Sequence, residues 1–509
     1  MAGEIKAGEE VVVAADVKAI DKEKSSFTGY ALSPAARLFH SPKFNCYIVA
    51  IMGCKTKINP AVVKLGLERT LIKHPRFSSK PVVDGCKGRK MKWEQTEVNL
   101  DDHIIIPNLD DGDVVESPDK FVEDYVSHLT TLPLDLNKPL WELHLLNVKT
   151  SDAEAVGVFK IHHSIGDGAS LVSLLLACTR KSSDPEELPT VPMNNKPSPG
   201  AAALSGGVFL LIWTLLKLIW NTLVDLFLFA ATMLFLKDTK TPIKALKVEG
   251  QQLRRFVHRT VSLDDIKLVK NALNMTINDV IVGVTQAGLS KYLYRRYGED
   301  QQHRGTESQK LDIPRNIRLR ASVLVNLRPT TGIQDLADLM AKGPKEKWGW
   351  GNWIGYLMLP LTISSQDDPL EHVRRAKSII DRKKLSLEPV FTCLGARIVI
   401  QTLGVKVASW IANRVLFNTT LAFSNMAGPV EEISFYGHPL SYLAPTVYGH
   451  PHALTIHFQS YCNTITISLA VDPGLIPDPH VLCGDLEDSL KAIKEAVVQK
   501  FVQKDPGIV

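Results

Sequence analysis

The sequence predicts an α/β protein in which two mixed-sheet domains are joined by an apolar helical segment. Three observations lead there. Strand-like runs alternate with helix-like runs in both halves of the chain, the pattern of sheets covered by helices. At 509 residues the chain is long enough for two or three domains, and 45% hydrophobic with 22% charged residues is an ordinary globular composition. Between the halves, Val208 to Leu236 is almost unbrokenly apolar.

Residues 1–27 mix charges with small residues and lack an uninterrupted apolar core, so a mobile tail is expected rather than a secretory signal. Residues 28–181 are the expected first domain. Tyr47 to Met52 reads as a strand, and Asn59 to Lys73 as a helix with Asn59 as its N-cap and Pro60 in its first turn. Trp141 to Val148 and Val156 to Ile161 are further strands, and Ser170 to Cys178 is a helix. Ser182 to Pro199 is rich in proline and polar residues and opens a connecting segment over 182–241.

Residues 242–509 are the expected second domain. Thr276 to Tyr294 is a strong helix, Glu299 to Lys310 a polar loop, and Leu311 to Leu327 and Leu454 to Val471 are strands. Thr464, Thr466 and Ser468 alternate with Ile465, Ile467 and Leu469, the period of a strand. Leu486 to Phe501 is an amphipathic closing helix.

The apolar segment admits two readings. A membrane crossing needs about 20 apolar residues, so one tilted crossing fits. Yet Thr214, Lys217, Asn221, Asp225 and Thr232 fall on one narrow helical stripe. That stripe favours a helix lying in the membrane interface or packed on the protein. Lys244, Lys247, Arg254, Arg255, His258 and Arg259 then form a basic patch, either a solvated face or an attraction for anionic headgroups.

The net charge of +5 is small for this length, and no nucleic-acid motif appears, so no nucleic-acid partner is expected. The seven cysteines are odd in number and contain no CxxC pair. Neither a zinc site nor a disulfide framework is expected, and reduced thiols facing a cytosol fit.

One run carries chemistry: Ile161-His162-His163-Ser164-Ile165-Gly166-Asp167-Gly168, between a strand and a helix. Histidine titrates near neutral pH and suits abstraction of an alcohol proton. The pair could instead be two packed, hydrogen-bonded rings, or part of a metal site. Adjacent strand residues point to opposite faces, which argues against a shared ion and leaves one ring facing a cavity while the other packs.

His162 to Gly168 resembles the HHxxxDG motif of acyl-CoA-dependent acyltransferases related to chloramphenicol acetyltransferase. Pro139-Leu140-Trp141-Glu142, Asn278-Asp279-Val280, Asn326-Leu327-Arg328-Pro329, Gly351-Asn352-Trp353-Ile354-Gly355 and Ser424-Asn425-Met426-Ala427-Gly428-Pro429 accompany it in order. Together they resemble the wax ester synthase/diacylglycerol acyltransferase family, its plant members most of all, over residues 28 to 500. The resemblance implies two chloramphenicol-acetyltransferase-like domains with an active-site tunnel between them. A single crossing at 208–236 would separate those halves across a bilayer, so a monotopic or re-entrant anchor is expected.

The same resemblance implies His163 as general base, His162 as a packing residue, and Asp167 and Gly168 as supports of the turn. The alcohol would attack the thioester directly, since no GxSxG nucleophile elbow is present. Ser424 and Asn425 are candidate oxyanion or tunnel residues, or an ordinary turn. Asn278 and Asp279 either position the second domain or start a helix with Thr276. Fatty acyl-CoA is implied as a substrate, with a long-chain alcohol or diacylglycerol as acceptor, membrane lipid as partner, and neither cofactor nor metal. The implied location is the endoplasmic reticulum membrane with the site facing the cytosol, the plasma membrane being the alternative. Two rivals remain: a soluble HxxxD acyltransferase of plant specialised metabolism, whose DFGWG element is absent, and an inactive lipid-binding relative.

Overall fold

The computed structural model describes residues 30–42, 44–84, 90–108, 117–192, 207–245, 253–303, 314, 316–328 and 351–502. The expected tail 1–27, Lys247 and Pro329 lie outside them. Two large sheets dominate. The first has seven strands in the order Ile104–Ile105, Trp141–Leu146, Ala155–His162, Tyr47–Cys54, His438–Tyr448, Ile433–Phe435 and Thr179–Lys181. The second has six, in the order Ile354–Thr362, Arg318–Asn326, Leu421–Met426, Leu454–Tyr461, Thr464–Val471 and Arg255–Ser262. Each sheet has its own apolar core.

The expected division at residue 242 is crossed by one hairpin. Ile433–Phe435 and His438–Tyr448, assigned by sequence to the second domain, are strands of the first sheet. His438–Tyr448 runs antiparallel to Tyr47–Cys54 and also packs against Leu454–Tyr461 and Thr464–Val471. Its alternation of buried and half-buried residues reads alike whichever sheet it joins, so the local pattern carries no sign of the exchange. The exchange ties the halves together and builds the walls of the space between them.

Local signals worked where side chains cap the backbone. Asn59 accepts a hydrogen bond from the Ala61 amide at 3.0 Å and starts Pro60–Arg69, while Leu71–Lys73 is a separate 3₁₀ turn. Asp279 accepts from the Thr276 amide at 2.8 Å and Thr276 Oγ1 accepts from the Asp279 amide at 3.3 Å, a reciprocal cap on Ile277–His303. That helix runs past the expected loop start at Glu299. Its polar end is held on the closing helix Pro479–Val497 and on Asp478 by Arg295–Asp485, Lys291–Asp488 and Arg296–Asp478.

Gly207–Leu234 is one unbroken helix, and its two ends have different surroundings. Toward its C-terminus the polar stripe faces protein. Asp225 is fully buried and pairs with Arg382 at 2.5 Å and Lys383 at 2.9 Å. Asn221 donates to the Arg382 carbonyl at 3.3 Å, and Asn418 donates to the Thr232 carbonyl at 2.7 Å. Of the two readings of this stripe, packing on the protein holds for Asn221, Asp225 and Thr232. From Val208 to Trp220 the helix is exposed on most of its circumference.

The basic patch is paired with protein groups: Lys244 and Arg254 are buried, Arg255 and His258 half-buried, and Arg259 exposed. Arg254 pairs with Asp472, Arg255 with Asp124, His258 with Asp152 and Arg259 with Glu487. Lys244 donates to the carbonyls of Phe417 and Thr419. Arg255–Asp124 and His258–Asp152 join the two halves, while the other contacts stay within the second half, so these cations are engaged by protein partners.

Candidate active site

The strand Ala155–His162 ends at the histidine pair, and the chain turns into the helix Gly168–Ala177. The pleat separates the two rings as expected. His162 is buried, with Nε2 2.8 Å from Asn45 Oδ1 and Nδ1 2.7 Å from Ser164 Oγ, and it stacks on His40 at 4.4 Å. Burial pushes its pKa well below the usual imidazole value. Both ring nitrogens are used, so this ring packs.

His163 is also buried, but its ring is presented differently. It stacks on Phe39 at 4.3 Å, and its Nδ1 has no hydrogen-bond partner among the described residues. Burial, the largest influence, lowers its pKa from the usual imidazole value. The ring is therefore neutral near pH 7 and can accept a proton. Asn352 donates to the His163 carbonyl at 3.0 Å, and its own Oδ1 is buried without a partner among the described residues. Asn352 stands in the run Gly351 to Gly355, where spacing assigns it no role; only the fold brings it to this turn.

Asp167 turns away from the imidazole. Its Oδ1 accepts from the Ser170 amide at 3.0 Å and caps the helix, while Oδ2 accepts from Arg328 Nη1 at 2.7 Å and the Trp353 amide at 2.9 Å. Arg328 also donates to Ser170 Oγ at 3.1 Å and to the Gly351 carbonyl. Asp167 thus braces the turn and fastens it to the second half. Gly168 packs closely on Met426: a Cβ there would lie 2.7 Å from Met426 Sδ, so that flexible side chain would have to shift.

Two cavities meet at His163. One of about 500 Å³ lies between the two sheets, with Ile161, Leu175, Ser424, Asn425 and His457 among its walls. The other, of about 410 Å³, lies under the helices Pro34–Phe39, Gly207–Leu234, Glu388–Thr402 and Val405–Asn418. Ser322, Leu324 and His450 line both. The walls are chiefly apolar, so these are spaces for apolar groups on either side of the His163 ring.

Ser424 and Asn425 line the first cavity. Asn425 Nδ2 donates to Asn278 Oδ1 at 2.6 Å, so Asn278 steadies the wall. Both residues belong to the second half, and the bond ties the helix Ile277–His303 to the strand Leu421–Met426 that lines the cavity. Asp279 forms the helix start. Sequence reading missed His457, whose buried ring lines the same cavity with both nitrogens unpartnered among the described residues. Its strand alternation was visible, but which face would line a cavity was not.

One consequence concerns pH. A base whose pKa is lowered by burial stays unprotonated to lower pH than a free imidazole. The acidic limb of kcat/KM is therefore expected below the ordinary histidine value of about 6.5. A limb above that value would contradict the buried, neutral ring.

Solved structures place this architecture. The wax ester synthase/diacylglycerol acyltransferase from Marinobacter aquaeolei VT8 superposes with a TM-score of 0.57 at 16% identity, covering 92% of this chain and 100% of that one. The starter condensation domain of rhizomide synthetase superposes with a TM-score of 0.52 at 12% identity, covering 94% and 96%. At these identities the likeness concerns the fold, a two-domain, condensation-like acyltransferase fold.

Sequence comparison narrows the class. Residues 41–281 match the profile of the wax ester synthase/diacylglycerol acyltransferase catalytic domain, and residues 350–494 match the C-terminal domain of the same family. Wax ester synthase/diacylglycerol acyltransferase 5 of Arabidopsis thaliana is 56% identical over 92% of this chain and 94% of its own length. Number 6 of the same series is 53% identical over 94% and 96%. The chain belongs to the wax ester synthase/diacylglycerol acyltransferase family, and it is an acyltransferase.

Proposed function

We propose that the protein transfers a fatty acyl group from acyl-CoA to a long-chain alcohol, giving a wax ester, and to diacylglycerol, giving triacylglycerol, with His163 as general base. The observation that carries this reading is a buried imidazole where two apolar cavities meet. The imidazole takes the hydroxyl proton as the alcohol oxygen attacks the thioester carbonyl. Collapse of the tetrahedral intermediate breaks the C–S bond, and the proton passes to the departing CoA sulfur. Ser424, in the cavity wall, is the candidate donor to the oxyanion. Much of the gain would come from holding two chains end to end at one base in a site closed to water.

Palmitoyl-CoA supplied with either hexadecanol or diacylglycerol tests the reading. Ester formed from either acceptor is expected, and a protein that makes neither refutes it. The scheme uses no resident metal, and no cluster of three potential metal ligands occurs among the described residues. Dialysis against a strong chelator is expected to leave the rate unchanged; loss restored by one divalent ion would require a different mechanism.

The site is read as facing the cytosol at the endoplasmic reticulum membrane. The apolar helix is long enough to cross a bilayer, but Asp225 near its C-terminal end is clamped to the protein, which favours an anchor on one side. In sealed microsomes, tags inserted near Ser183 and near Gln302 are expected to show equal protease sensitivity. Opposite protection would establish a true crossing.

A further inference from the structure

The helices Glu388–Thr402 and Val405–Asn418 form a hairpin whose outer side is apolar. Gly404, with φ +86°, makes the turn between them. Phe391, Leu394 and Ile398 fall on one stripe and are 45%, 47% and 59% exposed; Leu403 at the tip and Trp410 on the second helix are exposed too. The hairpin packs against Gly207–Leu234, whose outward side chains from Val208 to Trp220 include Phe209, Trp213 and Trp220. The contacts lie in the C-terminal half of that helix, among them Thr222 with Leu387, Thr232 with Asn418 and Leu234 with Arg414, and Val208 to Trp220 extends beyond them. The hairpin also packs against Pro34–Phe39, the helix that carries the ring stacked on His163.

Charge on these elements is one-sided. The acids within 207–245 and 388–418 are Asp225, Asp238 and Glu388, and all three are buried in ion pairs, with Arg382 and Lys383, with Arg320, and with Lys383. The outward groups Lys217, Lys237, Lys240 and Lys406 are all cations. An apolar face with a cationic rim and no outward acid complements an anionic lipid surface. A helix apolar on nearly every side also calls for a lipid phase rather than a groove on a soluble partner. Val208 to Trp220 is about 20 Å long, short of the ~30 Å hydrocarbon core, so it reaches into one leaflet.

We propose that the hairpin Glu388–Asn418 is a membrane-docking element that seats with the helix Gly207–Leu234 in one leaflet of an anionic bilayer, and that the cavity beneath them takes its lipid acceptor from that leaflet. Phe391 lines this cavity and is also exposed on the outer face, which places the mouth within the apolar surface. Leu226, Phe229, Ile400 and Ile411 continue the wall toward His163. A long alcohol would then reach the base without entering water. The assignment rests on the membrane reading above, but docking is measured without turnover.

Full-length protein is floated with vesicles of phosphatidylcholine, with and without phosphatidylserine. Wild type is expected to float best with phosphatidylserine. Leu394→Asp combined with Leu403→Asp and Trp410→Asp is expected to cut flotation at least tenfold. The same variant should lose activity on vesicle-borne hexadecanol at least tenfold, while its rate on a short water-soluble alcohol falls less than threefold. Lys237→Glu with Lys406→Glu is expected to abolish the preference for phosphatidylserine. The serine versions of the three apolar substitutions repeat the test if the aspartates lower the melting temperature.

Flotation unchanged in a folded variant would overturn the proposal, as would equal loss on short and long alcohols. Conversion of a dimer to a monomer with flotation intact would assign the face to a second copy and overturn it as well. A wild type that floats as described but esterifies no alcohol leaves the docking surface standing and removes the catalytic reading instead.

Discussion

Replacing His163 by alanine is expected to lower ester formation by about 10²–10⁴-fold, the usual loss for a missing general base, while the protein stays folded. The ring's Nδ1 makes no hydrogen bond among the described residues, so its removal orphans little. Its main packing partner is Phe39, at 4.3 Å. His162→Ala should behave in the opposite way. It strips partners from Asn45 Oδ1 and the Ser164 hydroxyl inside the protein. Each buried group left unpaired costs about 1–3 kcal/mol, so the defect appears first in stability and only then in rate. Rate assays beside urea unfolding separate the two. A folded His162→Ala protein slower than a folded His163→Ala protein would reverse the assignment of the two faces.

The second large effect is expected at a residue that never touches substrate. Arg328 and Asp167 are 1% and 3% exposed at their side chains and lie 2.7 Å apart. Arg328→Ala leaves a carboxylate buried without its charge partner, and such a break typically costs about 3–5 kcal/mol. That is a large share of the ~5–15 kcal/mol that holds a typical protein folded. It also releases Ser170 and the Gly351 carbonyl, so the turn that presents His163 loosens from the second half. Activity should fall with the folded population. Arg328→Lys keeps the charge but cannot reach all three partners with a planar fork, so partial rescue is expected. Unfolding of Arg328→Ala within about 1 kcal/mol of wild type, a difference too small for any buried-pair mechanism, would show that the pair is not a brace.

Much of this molecule is legible in residues that act locally. The cap at Asn59, the start of a helix at Thr276 and the two-residue alternation at Thr464–Leu469 each depend on neighbours a few positions away, and each appears where spacing puts it. The histidine pair is legible for the same reason, since the pleat turns adjacent side chains to opposite faces. The ordered motifs placed the chain in its family, and the profiles covering residues 41–281 and 350–494 agree.

Tertiary structure decided whatever depends on partners distant in sequence. Arg328 and Asp167 are separated by more than 160 positions, and no periodicity couples them. The stripe Asn221–Asp225–Thr232 has the same spacing whether it faces headgroups or Arg382 and Lys383; only packing chose. The basic run at Arg254–Arg259 looked free because its acids, Asp124, Asp152, Asp472 and Glu487, come from remote segments. The strand His438–Tyr448 joins the first sheet through its antiparallel ladder with Tyr47–Cys54, a partner remote in sequence that no local pattern names. Sequence by itself determined many of the element types, the family and the opposite facing of the two histidines. The meeting of two cavities at His163, the brace behind it and the outward face of Glu388–Asn418 follow from long-range contacts, which a linear pattern does not encode.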